Sequence, residues 1–495
     1  MTSKNYSKAS LTSSNLSEEK LEELHRILPE AFSENKIDWD KLRAVLGDEI
    51  DERIEKFSFT WAGKSDAIKN VLIPSKATLR PAKDESVKFD TSENLFIEGD
   101  NLEVLKLLQK AYFEQVKMIY IDPPYNTGGD FVYHDDFATP LKNYLQQTGQ
   151  KNGDGASLTT NKETSGRFHS DWLSMMYPRL KLAWNLLRDD GLIFVSIDDH
   201  EAAHLRIILD EIFGEESYLN TFCWVNNLKG RQIAGAGAAK TYEFIFAYAK
   251  NAGAITPFEL SVDYLKSVMP SSYKGFNYEV ETDEGGEFVV KNELYNTNSI
   301  FNEKTRPNLV FNIHYNPKTK EVKFSEVSET KDSPGFIKIT PKKNNDGVHS
   351  FHAWRWSREK IIKDIADLKF VQVGDTAKVF TKIREHTHTN LKDVISDIST
   401  NNGGSEVKGI FDEKKYFDYP KPVNLIKTFV ALTDGEDVIL DFFAGSGTTA
   451  QAVLEQNQED DEERKFILVQ LPETTDVESE AYKAGYKNIA NIACQ

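Results

Sequence analysis

Residues 116–125 read Val-Lys-Met-Ile-Tyr-Ile-Asp-Pro-Pro-Tyr, and this stretch decides the fold. Five of its first six residues are apolar or aromatic, which predicts a strand that is buried on both faces. The tetrapeptide Asp122-Pro123-Pro124-Tyr125, which we call the proline loop, follows directly. In an open α/β sheet, ligands bind at the carboxyl ends of the strands, so the proline loop is predicted to lie in a binding site.

Short apolar runs alternate with amphipathic helices on both sides of this stretch, which is typical of a parallel sheet wrapped by helices. The predicted fold class is therefore α/β. Strands are predicted at residues 95–97, 192–197, 221–225, 243–249, 438–442 and 466–469, with 221–225 and 243–249 as a hairpin at the sheet edge. Helices are predicted at residues 102–108, 173–187 and 205–213 and from Thr448, and Gly191 is expected to end the second of them.

A second stretch, Asp441-Phe442-Phe443-Ala444-Gly445-Ser446-Gly447, also follows a buried strand and opens a helix; we call it the glycine loop. Glycines let the backbone approach a ligand closely, and the amino end of a helix favours a carboxylate. Asp441 is expected to accept a hydrogen bond from a ligand ammonium group. A plain strand-to-helix turn is one alternative, and a nicotinamide dinucleotide site is another, because Gly445, Gly447 and Ala450 fit a loose fingerprint. A P-loop is excluded, since no lysine follows the glycines.

The proline loop has the groups that would activate an exocyclic amino group. Such an amine on adenine is a poor nucleophile because its lone pair is delocalised into the ring. The Asp122 carboxylate and the Pro123 carbonyl would accept both hydrogens and release that lone pair toward a methyl donor. The prolines hold the carbonyls outward, and Tyr125 would stack on a flipped base, a contact worth roughly 1–3 kcal/mol. Taken alone, the tetrapeptide is more often a plain surface turn, but its place after a buried strand favours the functional interpretation.

The two loops in this order resemble those of the β group of amino-methyltransferases, in which the Asp-Pro-Pro-Tyr block precedes the target-recognition region and the glycine block comes late. More closely, five segments are similar to the modification (Mod) subunit of type III restriction-modification systems. These segments are residues 95–108, 119–129, 192–201, 354–357 and 466–473. The likeness covers most of residues 90–490.

This resemblance implies a site-specific DNA methyltransferase that moves a methyl group from S-adenosyl-L-methionine to N6 of a flipped-out adenine. It implies a permuted, Rossmann-like methyltransferase sheet with an inserted target-recognition domain and a helical N-terminal extension. The catalytic residues implied are Asp122, Pro123, Pro124 and Tyr125. The cofactor-binding residues implied are Asp100, Lys421, Asp441, Phe443, Ala444, Gly445, Ser446, Gly447 and Gln470.

Four regions are expected from these boundaries. Residues 1–90 form the helical extension, in which Ser17 is expected to cap the first helix, and residues 91–254 form the first part of the catalytic core. Residues 255–405 form the target-recognition domain, because the helix and strand rhythm is lost there. Residues 406–495 complete the core with its cofactor-binding part.

The composition of the chain limits which partners it can bind and how it can bind them. The formal charge of −18 excludes coating of nucleic acid by bulk attraction, so DNA binding requires a local basic surface. Candidates are the seven lysines from Lys318 to Lys343 and the pair Lys229 and Arg231, with a solvated loop face as the alternative. Two cysteines and the lack of a membrane-spanning apolar run predict a cytoplasmic chain without disulfides or membrane contact. The resemblance implies double-stranded DNA with a specific adenine-containing site, a second copy of the chain and a helicase-nuclease restriction subunit as candidate partners.

No metal site is expected. His134-Asp135-Asp136 and Asp198-Asp199-His200 contain potential ligands, but adjacent loop residues rarely converge on one ion, and methyl transfer needs none. Three other functions are weighed against adenine methylation. N4-cytosine methylation uses the same acceptor chemistry, although serine more often replaces the aspartate. A non-catalytic DNA-binding subunit would bind cofactor and DNA without methyl incorporation, and a dehydrogenase would leave the proline loop unexplained.

Overall fold

The structure is a computed structural model that describes residues 15–33, 36–46, 58–127, 168–228, 238–329 and 333–495. The pair Lys229 and Arg231 and the His134-Asp135-Asp136 cluster lie outside these residues. The chain packs as two units, one formed by Met1–Phe258 with Leu391–Gln495 and the other by Glu259–Asn390. Within the described ranges, no helix has both the length and the apolar character that crossing a membrane requires.

An eight-stranded mixed sheet lies at the centre of the first unit. Its strands are β1 (Leu95–Glu98), β2 (Val116–Ile121), β3 (Leu187–Ile197), β4 (Tyr218–Trp224), β5 (Glu243–Ala249), β6 (Val394–Ile395), β7 (Val438–Asp441) and β8 (Lys465–Gln470). Their spatial order is β6-β4-β5-β3-β2-β7-β8-β1. Neighbouring strands are parallel except for the two pairs that β5 makes. The α/β fold predicted from the alternation of apolar runs and helices is confirmed.

Helices cover both faces of this sheet, which is why β2 and β3 are apolar on both sides. Among the described residues of the first unit, the α-helices are α1 (Leu16–Ile27), α2 (Trp39–Leu46), α3 (Lys64–Leu72), α4 (Asn101–Tyr112), α5 (Phe168–Leu186), α6 (Ala202–Phe213), α7 (Thr400–Ile410), α8 (Val423–Val430), α9 (Thr448–Asp460), α10 (Glu480–Lys483) and α11 (Ile489–Ala493). Buried side chains of α4, α5 and α6 pack with Ile119 and Ile121 of β2. The intervening Tyr120 points to the opposite face, where the ring of Phe429 from α8 lies 4.4 Å from that of Phe194 and 6.3 Å from that of Tyr120.

The boundary between α5 and β3 differs from the prediction. Helix α5 ends at Leu186 and β3 begins at Leu187, so Gly191 lies inside a strand and does not end a helix. A side-chain carbon at Gly191 would lie 2.8 Å from the carbonyl oxygen of Arg188. Close approach of the backbone to itself, and not a helix end, therefore explains this glycine.

Two smaller predictions also differ. Strands β4 and β5 pair antiparallel as expected, but β6 adds outside β4, so the hairpin does not form the sheet edge. Asn15, and not Ser17, caps α1, because the Asn15 side chain accepts a hydrogen bond from the backbone N–H of Glu18. A two-residue strand, Phe32–Ser33, pairs with Lys36–Ile37 after that helix.

The second unit, Glu259–Asn390, is built mainly from antiparallel strands. One sheet has the order Leu368–Val373, Thr376–Ile383, Gly286–Glu293, Val280–Asp283; another has the order Val322–Ser325, Asn312–Tyr315, Ile337–Ile339; and His388–Asn390 pairs with Glu259–Ser261. Its α-helices are Val262–Val268, Pro270–Tyr273 and Arg358–Lys363. In its core, the buried Trp354 indole N–H donates to the carbonyl of Phe311 at 2.7 Å. The unit lies inside the expected region 255–405, since the chain has returned to the central sheet at β6.

Candidate active site

Four neighbouring parallel strands end at the same edge of the central sheet, and each leads to a residue singled out in the sequence. In the order β2, β7, β8 and β1, these residues are Asp122, Asp441, Gln470 and Asp100. The proline loop and the glycine loop are therefore neighbours, because β2 and β7 pair directly. Lys421, just before α8, also reaches this edge. The structure brings the predicted residues to one place.

The Asp122 carboxylate lies beside the Lys421 ammonium. Asp122 Oδ1 is 3.0 Å from Lys421 Nζ, and the two side chains are 28 % and 12 % exposed. Burial raises the pKa of Asp122, Lys421 opposes that increase, and Glu243 adds to it. Burial by itself would lower the pKa of Lys421, but the charges of Asp122 and Glu243 hold it above its ordinary value. Lys421 is therefore a fixed cation next to the carboxylate.

Glu243, the first residue of β5, completes a hydrogen-bond network around Tyr125. Lys421 Nζ donates to Tyr125 Oη at 2.7 Å and to Glu243 Oε2 at 3.2 Å. Tyr125 Oη donates to the same Glu243 oxygen at 3.1 Å, and Asn226 Nδ2 donates to the other oxygen at 2.7 Å. Burial, with the charges of Asp122 and Glu243, raises the pKa of Tyr125, so its hydroxyl stays a donor. The network fixes both the phenol and the ammonium.

A buried indole holds the backbone of the proline loop. Trp172 of α5 is fully buried, and its N–H donates to the carbonyl of Pro124 at 2.7 Å. In the part of the chain that the structure describes, no donor is hydrogen-bonded to the carbonyl of Pro123. The two proline carbonyls thus have different surroundings, and the one beside Asp122 is left as an acceptor.

Asn126, directly after the proline loop, is buried with a backbone φ of 60°. Its amide donates to the carbonyl of Phe168 at 3.2 Å and to the carboxylate of Glu201. Glu201 is fully buried, and its oxygens also meet Nδ1 of His169 and of His204, each at 2.7 Å. These two histidines and Glu201 have potential metal-ligand atoms within 4.8 Å of one another. The hydrogen bonds explain their proximity, and they tie the start of α5 to the proline loop.

The glycine loop needs glycine at two positions. Gly445 and Gly447 have φ of 55° and 83°, in the left-handed region that favours glycine. A side-chain carbon at Gly447 would lie 3.2 Å from the carbonyl oxygen of Ala493, and one at Gly445 would lie 3.4 Å from Phe417. Gly447 immediately precedes α9, so the loop opens at the amino end of that helix. Phe443 and Ala444 are buried, and the hydroxyl oxygens of Ser446 and Thr448 are 3.0 Å apart.

Asp441 is a buried carboxyl group at the start of the glycine loop. Its Oδ1 accepts from the backbone N–H of Phe443 at 2.9 Å, and its Oδ2 accepts from the hydroxyl of Thr449 at 2.6 Å. The pKa of Asp441 is raised to about 7, because burial raises it by more than the two hydrogen bonds lower it. The charge of Asp122 adds to the increase. Asp441 is therefore poised to lose its proton when a cation approaches.

Gln470 and Asp100 hold local backbone in this structure. Gln470 Oε1 accepts from the backbone N–H of Gly445 at 2.7 Å, and Gln470 Nε2 donates to the carbonyl of Leu471 at 3.0 Å. Asp100 caps α4, because its Oδ1 accepts from the backbone N–H of Glu103 at 3.0 Å. Both residues lie at the edge of the glycine loop, one holding the loop and one starting the neighbouring helix.

Sequence reasoning did not single out Glu243, Trp172 or Glu201 for this site. Glu243 carried a usable signal, since it stands directly before the apolar run 244–249. Because β5 is antiparallel to its neighbours, its first residue lies at the same edge as the carboxyl ends of the parallel strands. Trp172 and Glu201 act through tertiary contacts that leave no local pattern.

Residues 116–474 match the family model described as DNA methylase. The matched range begins at β2, includes both loops and the second unit, and ends after β8. The fold and its paired loops are thus those of a DNA methyltransferase, and S-adenosyl-L-methionine is the cofactor.

Three curated relatives match nearly the whole chain. The EcoPI Mod subunit of Escherichia phage P1 is 32% identical over 476 residues, 94% of this chain and 71% of that protein. The EcoP15I Mod subunit of Escherichia coli is 31% identical over 489 residues, 94% of this chain and 72% of that protein. The StyLTI Mod subunit of Salmonella typhimurium is 33% identical over 505 residues, 96% of this chain and 69% of that protein. The chain belongs to the Mod subunits of type III restriction-modification systems.

Proposed function

We propose that this DNA methyltransferase transfers its methyl group to N6 of an adenine that is flipped out of double-stranded DNA. The observation that supports this most strongly is that the proline loop and the glycine loop lie at the ends of adjacent strands, β2 and β7. The charge of Asp122 also contributes to the raised pKa of Asp441, as expected for an acceptor site beside a cofactor site. The aspartate at the first position of the proline loop favours adenine over cytosine.

The proline loop is proposed to activate the amine with two acceptors. Asp122 accepts a hydrogen bond from one N6–H, and the Pro123 carbonyl accepts one from the other, which turns the nitrogen lone pair out of conjugation with the ring. The surplus N6 proton would leave through the Asp122 carboxylate to solvent once the nitrogen carries the methyl group. The Pro124 carbonyl is bound by the Trp172 indole, which supports Pro123 as the second acceptor. Tyr125, fixed by its hydroxyl contacts, is proposed to stack on the base.

The glycine loop is proposed to hold the methionine half of the cofactor. Bound S-adenosyl-L-methionine supplies a methyl carbon on a sulfonium. Asp441 would accept a hydrogen bond from its ammonium, and the amino end of α9 at Gly447 would hold its carboxylate. Phe443, Ala444, Gly445 and Ser446 line this loop, and Asp100 is proposed for the adenosine end. Gln470 is proposed to act by holding Gly445, because both ends of its carboxamide are hydrogen-bonded within the protein.

We also propose a role for each region of the chain. The second unit, Glu259–Asn390, is proposed as the target-recognition domain and is shorter than the expected range 255–405, because β6 already belongs to the central sheet. Residues 1–90 are proposed as a helical extension, and residues 91–258 and 391–495 as the catalytic core. The relatives are named as Mod subunits of type III restriction-modification enzymes, which supports DNA and a restriction subunit as partners. A second copy of the chain and a cytoplasmic location stay predictions.

Digestion of methylated DNA to nucleosides tests the proposed base. The purified chain is incubated with unmethylated DNA and labelled cofactor, and the product nucleosides are separated and weighed by mass spectrometry. We expect N6-methyladenine as the labelled product. N4-methylcytosine alone would overturn the adenine assignment, and binding of both ligands without incorporation would favour a non-catalytic subunit. Single-molecule sequencing of DNA from cells that express the chain would then locate the modified site.

A further inference from the structure

Two of the three donors of the Lys421 ammonium have well-aligned acceptors among the described residues, and the third faces only Asp122. An ammonium group has three N–H donors. Two of them are directed to Tyr125 Oη at 2.7 Å and Glu243 Oε2 at 3.2 Å. The contact with Asp122 Oδ1 at 3.0 Å is an ion pair in which that oxygen receives no hydrogen bond from the described residues. The third donor thus lies beside the carboxylate proposed to accept the amine, where an incoming base could take it as a better-aligned acceptor.

The surroundings of the ammonium assign it to one side of the site. The groups that meet it are Asp122 and Tyr125 of the proline loop, Glu243 of β5, and the ring of Trp224 of β4, whose centroid is 5.4 Å away. Among the described residues, the glycine loop contributes none of these contacts. Lys421 therefore lies with the groups proposed to receive the target base.

A donor beside an acceptor matches the edge of an adenine. Enzymes that flip a base read its Watson–Crick edge by hydrogen bonds, and on adenine this edge presents the N6 amino donor next to the N1 acceptor. Asp122 and Lys421 present the complementary order, an acceptor next to a donor. Guanine and thymine present a carbonyl oxygen next to an N–H, which is the reverse order, so the same pair of residues would disfavour both. Cytosine presents the same order as adenine, so this pair selects amino bases and does not by itself separate adenine from cytosine.

We infer that Lys421 belongs to the target pocket and donates a hydrogen bond to N1 of the flipped adenine while Asp122 accepts from N6. This inference rests on the proposed function, and it moves Lys421 from the cofactor role that the family resemblance implied to the target base. Glu243 is a positioning residue, since it accepts from both Lys421 and Tyr125. Asn226 supports it by donating to the second Glu243 oxygen.

Binding of DNA that carries adenine or 1-deazaadenine at the target position, each opposite an abasic site so that neither duplex has a base pair to break there, tests the inference. This analogue keeps the amino group and replaces N1 with a C–H. Affinity is measured for both duplexes by fluorescence anisotropy with S-adenosylhomocysteine present, for the unaltered chain, Lys421→Met and Lys427→Met. Lys427 is a matched control, because it is another buried lysine with its own ion pair, 2.8 Å from Glu459.

The unaltered chain and Lys427→Met are expected to bind the adenine duplex roughly tenfold to a hundredfold more tightly than the 1-deazaadenine duplex. Lys421→Met is expected to bind both duplexes equally and to keep its affinity for S-adenosylhomocysteine in calorimetry. Equal binding of both duplexes by the unaltered chain would overturn the inference, even if Lys421→Met does not fold. Discrimination that persists in Lys421→Met, together with lost S-adenosylhomocysteine binding, would return Lys421 to the cofactor.

The test separates this inference from the proposed function. If the unaltered chain forms N6-methyladenine but ignores the loss of N1, the role of Lys421 fails and adenine methylation stands. If the chain forms only N4-methylcytosine, the proposed function itself fails.

Discussion

Replacing Lys421 with methionine is expected to move the acid limb of the methylation pH profile to higher pH. Asp122 accepts an amino hydrogen fully only while it is ionised, so the rate falls as the pH drops through its pKa. Burial raises that pKa, and Lys421 opposes the increase. Without the ammonium the pKa of Asp122 rises further, and activity is lost at a higher pH than in the unaltered chain.

The separation of the two charges sets the size of the shift. At 3.0 Å, Coulomb's law gives about 1.4 kcal/mol in bulk water and about 5.5 kcal/mol at an effective dielectric constant of about 20. Because 28 % of the Asp122 side chain is exposed to screening water, we expect the lost interaction to lie in the lower half of this range, which raises the pKa of Asp122 and moves the acid limb to higher pH. Glu243→Gln should shift the limb the other way, since the charge of Glu243 raises the pKa of Asp122.

Single-turnover methylation with saturating labelled cofactor, measured across the acid range, gives the position of the limb. Lys427→Met is the control for the loss of a buried lysine outside the site. Circular dichroism and S-adenosylhomocysteine binding establish that each variant is folded. A folded Lys421→Met whose acid limb coincides with that of the unaltered chain would refute the electrostatic coupling.

Three further perturbations test other parts of the site. Binding of S-adenosylhomocysteine below pH 7 should release close to one proton from the protein, because the ligand's ammonium favours the ionised form of Asp441, whose pKa is about 7. Calorimetry in buffers of different ionisation enthalpy measures the proton release, and Asp441→Asn should abolish it. Gly447→Ala should weaken S-adenosylhomocysteine binding about fivefold to thirtyfold in titrations. Alanine in the left-handed backbone region costs about 1–2 kcal/mol, and its Cβ would contact the carbonyl oxygen of Ala493. Glu201→Ala should lower the free energy of unfolding by about 1–3 kcal/mol for each buried donor left without its acceptor, which denaturant unfolding measures. It should also slow methylation, measured as turnover, because the Asn126 amide loses its hydrogen bond to this carboxylate.

Each of these expectations has a result that contradicts it. Binding of S-adenosylhomocysteine with no proton release below pH 7 would mean that Asp441 does not meet the ammonium. Unchanged affinity in Gly447→Ala would place the ligand away from the glycine loop. An unfolding free energy in Glu201→Ala equal to that of the unaltered chain would mean that this carboxylate does not hold the loop that follows the active-site tetrapeptide.

The sequence predicts strands well where an apolar run is continuous and bounded by polar residues. The predicted ranges 116–121 and 243–249 coincide with β2 and β5. The proline loop and glycine loop follow from these strands, because a polar segment after a buried parallel strand must lie at the sheet edge. Where the apolar pattern continues across a boundary, as at Leu186 and Leu187, periodicity does not separate a helix from a strand.

Contacts between distant parts of the chain account for what the sequence does not predict. Lys421 meets Tyr125 across 296 residues, whereas the resemblance that singled out this lysine implied a cofactor role and gave no contact with the proline loop. Strand β6 has two residues and gains its place only by pairing with Cys223 and Trp224 of β4. The Trp172 indole on Pro124 is another such contact, since Trp172 reads locally as one more apolar residue on a helix.

Methyl transfer by Asp122→Ala in a single turnover tests the central claim most directly, that a carboxylate held at the end of β2 makes the amine reactive. DNA binding and S-adenosylhomocysteine binding are measured on the same preparation. We expect the rate to fall about a hundredfold or more while both ligands still bind, in line with the loss of one preorganised polar group at a reacting centre. A rate equal to that of the unaltered chain would contradict the account.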